Sequence, residues 1–292
     1  VGGIGNTWHS LRSVYLNPAL RRMQLALTVS MVGDWAFSTA VTVYAYQAGG
    51  AQLVGGWFAV RLVLMALLAP MASSVADHFP RKTVLVVSDL VRAVLIAGAG
   101  LLVLRDAPAL AIIVLSTVTG LIGCVSRPAQ LAWMPSLTNE PEELTAANGA
   151  YSTTKGLAFL VGPTIGAVLV ATTGIAAVFA LNVVSFLVSA TVLAGIRAVT
   201  GDLPPEPGRH GALREMTGGF REIAGNGDLL LVAGMVCAQN VVHGTTIVLG
   251  VTWAVEILER GPEAVGVIDT VFGAGAIAGG VLAIARAGRN RL

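Results

Sequence analysis

Long apolar runs separated by short polar punctuation recur along the whole chain. Eight of them reach the roughly 20 residues that an α-helix needs to cross a bilayer. They are Met23–Gln47, Leu53–Ala76, Thr83–Leu104, Pro108–Val125, Ala147–Ala171, Gly174–Ile196, Leu229–Val255 and Val265–Ala285. The punctuation between them is that of helix ends. Asn17-Pro18 offers a capping side chain and a first-turn proline before the first run. Gly49-Gly50 separates the first run from the second, and Asn139-Glu140-Pro141-Glu142 places a candidate cap at Asn139 with Glu142 three residues on. The sharpest break is Ser73–Lys82, which reads as a ten-residue polar hinge between the second and third runs. The predicted fold class is all-α and polytopic.

Composition agrees with that pattern. Only 12% of the 292 residues are charged and 55% are hydrophobic, whereas a soluble domain carries about 25% charged residues. Because the deficit runs the whole length, it argues against a soluble domain on a single anchor. Both cysteines, Cys124 and Cys237, lie in apolar runs and read as small buried hydrophobes, with no disulfide or metal pattern. Val1-Gly-Gly-Ile-Gly is too short and polar to read as a cleavable signal peptide.

The cations set an orientation. Arg61 and Arg92 fall inside runs, and Arg105 and Arg260 fall in loops on one side. Every other Lys and Arg lies in segments on the opposite side, which predicts a cytoplasmic N-terminus. Residues 1–199 then form a six-helix bundle, 200–227 a cytoplasmic linker, and 228–292 the first two helices of a second bundle. Pro204, Pro205 and Pro207 mark the linker, and Leu213, Met216, Phe220 and Ile223 give it a short amphipathic helix. Trp8, Leu11 and Tyr15 suggest an interfacial helix ahead of the first span.

Ionisable residues within spans are the chemical candidates, since each is costly in lipid unless paired or hydrated. Asp34 stands near the middle of the first span and Arg61 in the second. Counted from the Gly49-Gly50 fold-back, they differ in depth by about five residues, or roughly 7 Å. An Asp34–Arg61 pair facing a cavity is therefore expected. Asp34 is the candidate carboxylate for a proton or a cationic substrate; a static pair that fixes packing is the alternative. Asp89 and Arg92, at i and i+3, read as a local bridge near the cytoplasmic end or as a substrate site. Gln239, Asn240 and His243 make a polar turn in the seventh span, either cavity wall or hydrogen-bonded structure.

Two motifs carry a resemblance. Ser73-Ser74-Val75-Ala76-Asp77-His78-Phe79-Pro80-Arg81-Lys82 is similar to the loop signature Gly-x-Leu-Ala-Asp-Arg-x-Gly-Arg-Lys of the major facilitator superfamily, with Ala76, Asp77, Arg81 and Lys82 agreeing. A worn copy, Arg286-Ala287-Gly288-Arg289-Asn290, follows the eighth span, with Ala285 at the aspartate position. Gly162-Pro163-Thr164-Ile165-Gly166-Ala167 resembles the Gly-Pro-x-x-Gly-Gly motif of drug/proton antiporters; a general small-residue packing face is the alternative. The chain thus resembles the bacterial drug- and siderophore-efflux group, which includes macrolide and enterobactin exporters. It departs from many antiporters in lacking their fourth-helix arginine, since Arg127 sits close to the inside end.

That resemblance implies a multi-pass plasma-membrane transporter. It would export small amphipathic compounds by alternating access, with protons as coupling ion and the bilayer and a small-molecule substrate as partners. It also implies a cytoplasmic gate built on Asp77, Arg81 and Lys82, in which Asp77 bonds nearby backbone N–H groups and pairs with Arg81; Asp89 and Arg92 are counted with that gate. The resemblance covers eight of a usual twelve helices. A truncated, non-transporting remnant is therefore one alternative, and a membrane module completed by a separate chain is another. No cofactor or metal is expected, no enzyme fingerprint occurs in a credible context, and the scattered cations argue against nucleic-acid binding.

Overall fold

The computed structural model describes residues 15–138, 140–197 and 221–257, and beyond these 264, 265, 267, 268, 271–273 and 275. The interfacial segment at Trp8–Tyr15 apart from Tyr15 itself, most of the linker helix and most of the eighth apolar run lie outside the described residues.

The helix Pro18–His78 is two helices joined at a kink. The part before it, 18–48, is α1 and the part after it, 51–78, is α2. Gly50 takes φ 63° and ψ −163°, a conformation that costs any side-chain-bearing residue, so two glycines suffice to reverse the chain. The other long helices are α3 (Arg81–Leu104), α4 (Ala109–Trp133), α5 (Pro141–Thr173), α6 (Ile175–Ala194) and α7 (Gly227–Thr252). A 3₁₀ turn, Met134–Leu137, follows α4, and a π turn, Trp253–Ile257, follows α7. No strand occurs among the described residues.

Asparagine caps two helix starts, the first of them as expected. Asn17 Oδ1 accepts from the backbone N–H groups of Ala19 and Leu20, and Asn226 does the same for Asp228 and Leu229. Asn17 also donates to the Leu137 carbonyl, tying the start of α1 to the 3₁₀ turn.

Three boundaries differ from expectation. The polar hinge is much shorter than ten residues, because α2 runs helically through 73–77 to His78 and only Phe79-Pro80 turns the chain. Pro80 alone, extended at φ −54° and ψ 122°, stops one helix and precedes the next. The fourth helix continues past Val125 to Trp133 with Pro128 inside it. The fifth starts at Pro141, with Glu140 at the cap position and no side-chain capping bond; Asn139 lies outside the described residues.

Apolar side chains divide between two sheaths and two cores. Val60, Val63, Leu67, Val94, Leu101 and Leu187 are exposed in mid-helix, an arrangement that suits hydrocarbon rather than water. Inside, one cluster near the Gly49-Gly50 end gathers Phe37, Val41, Trp57, Ile96, Ile112 and Phe179. A second, near the helix start at Asn17, gathers Leu20, Met23, Leu85, Trp133, Ala147 and Leu193. Between the two clusters lies a polar layer at mid-depth that includes Asp34, Asp89, Arg92, Ser116, Ser185 and Ser189.

Close helix approach needs small residues at defined places. A Cβ on Gly162 would stand 2.5 Å from Trp35 Cβ, and one on Gly166 would stand 2.5 Å from the Ala36 carbonyl oxygen. The fifth-helix motif is thus the contact of α5 with α1, and Pro163 between its glycines is buried. Gly33 serves the same purpose against Asn182 and Ser185 of α6.

At the other end of α6, two cations satisfy its last carbonyls. Lys82 Nζ donates to Ala194 (2.8 Å) and Ile196 (2.6 Å), and Arg22 donates to Gly195 (2.6 Å). Positive charge at a helix C-terminus also complements its dipole. Replacing Lys82 with methionine is expected to lower stability by about 1 kcal/mol. The check is the unfolding midpoint in detergent, with Lys82→Arg retaining most of the difference.

Candidate functional site: a mid-membrane cavity with an ion-pair network

α1, α2, α4, α5 and α7, with the polar layer of α3 and α6 behind them, enclose a cavity of about 1430 Å³. Its lining runs from Ser38 and Trp57 toward the Gly49-Gly50 end, through Ser116 at mid-depth, to Arg127, Tyr151, Lys155 and Leu193 near the end at which α1 begins. The walls are mostly apolar, with charged side chains concentrated at the polar layer and at the mouth. A smaller space of about 30 Å³, bounded by Trp35, Thr39, Thr42, Phe58 and Phe159, lies beside it.

The central feature is Arg92 of α3, whose side chain is only 9% exposed. Its Nη2 donates to both oxygens of Asp34 on α1, each at 2.7 Å. Nη1 stands 3.9 Å from Asp89, one turn back on the same helix. Asp89 in turn accepts a 2.6 Å hydrogen bond from Ser189 of α6. The guanidinium carbon lies 4.0 Å from the centre of the Phe186 ring, which adds a cation–π contact. One cation therefore holds two carboxylates and ties α1, α3 and α6 together at the level where water is scarcest.

The expected Asp34–Arg61 pair does not form. Depth along the helices was close enough to permit it, but the rotation of each helix about its axis turns Asp34 toward α3. Arg61 instead points along α2 to α4, 5.8 Å from the Trp57 ring, and takes part in no ion pair. Trp57 itself donates to Thr117 at 2.9 Å. The expected placement of Asp89 and Arg92 near the cytoplasmic end also changes, since both sit in the middle of α3 and line the cavity.

Two glycines of α4, not singled out in the sequence, make room for the arginines. A Cβ on Gly120 would meet Arg61 Nε and Nη2 at 3.3 Å, and one on Gly123 would meet Arg92 Cζ at 3.3 Å. Their i, i+3 spacing was the available signal, hidden in a run that reads as plain apolar helix. At the mouth, Lys155 was read only as a topological charge, and Arg127 as that and as too near the inside end to be the antiporters' fourth-helix arginine.

The other candidates separate. Asn240 lines the cavity and donates to the Val236 carbonyl at 2.8 Å. Gln239 is exposed and lies outside the lining, while the side chain of His243 is not among those described. Asp77 has a described backbone, helical, but its side chain lies outside the description. Arg81 is half-buried with Nε unpartnered, and Lys82 caps α6. No group of metal-ligating side chains occurs among the described residues.

Comparison with known proteins adds an independent line. The chain is 27% identical over 257 residues to the Enterobactin exporter EntS of Shigella boydii serotype 18. It is 26% identical over the same length to the proteins of that name from Escherichia coli O1:K1 and O139:H28. These matches cover 84% of the chain and 59% of each relative, so the chain spans about three fifths of the length of the curated relatives it matches. No solved structure matches it. With the kinked α1–α2 pair counted as one, six described helices are long and apolar enough to cross a membrane, and the sequence profile of the Major Facilitator Superfamily matches residues 24–291. A multi-pass membrane protein built around a mid-depth cavity, with transporter rather than enzyme kin, the chain belongs to the Major Facilitator Superfamily.

Proposed function

We propose that the chain forms the cavity of a secondary transporter that exports small amphipathic compounds from the bacterial cytoplasm in exchange for protons. The observation that carries this reading is the cavity itself, large enough for a drug-sized molecule and carrying a carboxylate–arginine network at mid-depth. The matched relatives are named as exporters. The cation bias supports a cytoplasmic N-terminus, which would turn the cavity toward the cytoplasmic face, where an exported compound would enter. Movement of one helix bundle against another around this site would then expose it to the other side.

The network offers a place for the coupling proton. Arg92 stands between two carboxylates and neutralises one of them, which leaves capacity for a single proton on the pair. Protonation of Asp34 would release the bond between α1 and α3 while Arg92 keeps Asp89 beside it. Asp34 is the more accessible of the two, with 38% of its side chain exposed against 8% for Asp89.

Replacing Asp34 with asparagine tests this. In cells expressing the protein, proton-driven efflux of a fluorescent amphipathic dye is expected to fall at least about tenfold, the loss from 1.4 kcal/mol on a rate-limiting barrier. Full transport with an unchanged dependence on external pH would exclude Asp34 as the coupling carboxylate.

A further inference from the structure

We infer that Arg61 is the seat for an anionic group, a carboxylate or a similar planar oxyanion, on the compound that the cavity takes. This rests on the cavity being the substrate site. It goes beyond that reading by fixing the sign of the charge the substrate carries.

Arg61 is a half-buried cation with no carboxylate in ion-pair contact among the described residues. It lines the cavity, is in no ion pair or hydrogen bond among the described residues, and its Nε is shielded from solvent with no partner. An arginine in this position stays charged, because its proton is too strongly held to be shed. Such a group is costly within a membrane and ordinarily marks a pathway or a ligand site. Its surroundings hold it in place without satisfying it. The Trp57 ring flanks it at 5.8 Å, and Trp57 is fixed in turn by its bond to Thr117. On the other side Gly120 leaves the guanidinium lying against the backbone of α4. The fork is held in place, and its terminal nitrogens donate to no group among the described residues.

The charge of the described lining points the same way. That lining holds the cations Arg61, Arg92, Arg127 and Lys155, and the carboxylates Asp34 and Asp89. Arg92 contacts both carboxylates. With both ionised, one is neutralised by Arg92 and the other balances at most one of the three remaining cations. A formal positive excess is left in a space walled by Leu62, Met65, Leu131 and Val248. The complement of such a site is an apolar body with an anionic head. A cationic drug would find the carboxylates of the described lining already held by Arg92.

Cys124 supplies a native reporter. It lines the cavity one turn beyond Gly120, to whose carbonyl its thiol donates at 3.7 Å. The other cysteine, Cys237 on α7, is exposed and is removed by Cys237→Ser. In nanodiscs carrying the C237S protein, the labelling rate of Cys124 by the uncharged reagent methyl methanethiosulfonate would be followed. The competitors are 1-naphthoate and its uncharged isostere 1-naphthamide. Naphthoate is expected to protect at concentrations at least tenfold lower than naphthamide. In Arg61→Gln the two compounds should become equal, and Arg61→Lys should restore part of the preference, since it keeps the charge without the planar fork. Unchanged labelling of the variants without competitor confirms that the cavity is intact.

Equal protection by the two compounds in the parent protein would overturn the inference and leave the cavity as a substrate site. A preference for naphthoate that survives Arg61→Gln would also overturn it, moving the anion to Arg127 or Lys155. Protection by neither compound would count against both this inference and the reading of the cavity as the binding site.

Discussion

Replacing Arg92 with glutamine is expected to be among the most damaging single changes in this protein. It removes the cation shared by Asp34 and Asp89 and leaves two carboxylates facing each other across a gap between α1 and α3. Asp89 would retain only the Ser189 hydroxyl, and its side chain is 8% exposed. Removing one partner of a buried ion pair costs about 3–5 kcal/mol, chiefly because the remaining charge stays buried. The glutamine also loses the stacking on Phe186. The expected result is a large fall in the unfolding midpoint in detergent, together with loss of transport. The double variant Asp89→Asn with Arg92→Gln should recover much of the stability, because it removes the orphaned charge, while leaving transport defective. Recovery of neither would mean that Arg92 acts through packing alone. Arg92→Lys should fall between these results, since one ammonium cannot give two oxygens of Asp34 the same approach.

Replacing Gly166 with alanine is expected to be out of proportion to the single methyl added. The new Cβ would stand 2.5 Å from the Ala36 carbonyl oxygen and 2.9 Å from Ala36 Cα. Both are backbone atoms of α1, which cannot yield by changing rotamer, so α5 must move away as a unit. Overpacking of this kind typically costs about 1–3 kcal/mol. Valine or leucine at the same position should prevent the helices from meeting. The displacement would also move Trp35, beside Asp34, and so widen the cavity wall. Gly156 on the same helix is the control: nothing lies within 4 Å of a Cβ there, and alanine should be neutral or stabilising by about 0.5–1 kcal/mol. The comparison is of unfolding midpoints for the two variants. Equal effects would show that the motif glycines are not needed for helix contact.

Much of this fold is legible in the linear sequence because the membrane imposes a local rule. Each span must be long, apolar and internally hydrogen-bonded, so its existence shows in composition and length alone. Asn17, Gly49-Gly50 and the break at Pro80 likewise act on the residues beside them. The errors came where a local signal was weighed without its surroundings. Residues 73–77 looked like a hinge because Ser73, Ser74 and Asp77 are polar, yet nothing in them forbids a helix and only Pro80 ends it. Val125 looked like the end of a span because Arg127 and Pro128 follow. Both are accommodated in a helix that goes on to Trp133, where that side chain is fully buried.

The site was legible in its parts and not in its pairing. Sequence alone determined which ionisable residues lie within spans, their approximate depth, and the small residues at Gly162 and Gly166. Depth follows from counting residues along a helix with a fixed rise. Which groups meet depends on the order of helices around the bundle and the rotation of each about its axis, and neither is encoded within a single span. Tertiary structure therefore decided that Asp34 belongs to Arg92, that Asp89 is shared with Ser189, and that Gly120 and Gly123 make room for two guanidinium groups. It also decided that Arg61, expected to be half of an ion pair, faces the cavity and forms none among the described residues.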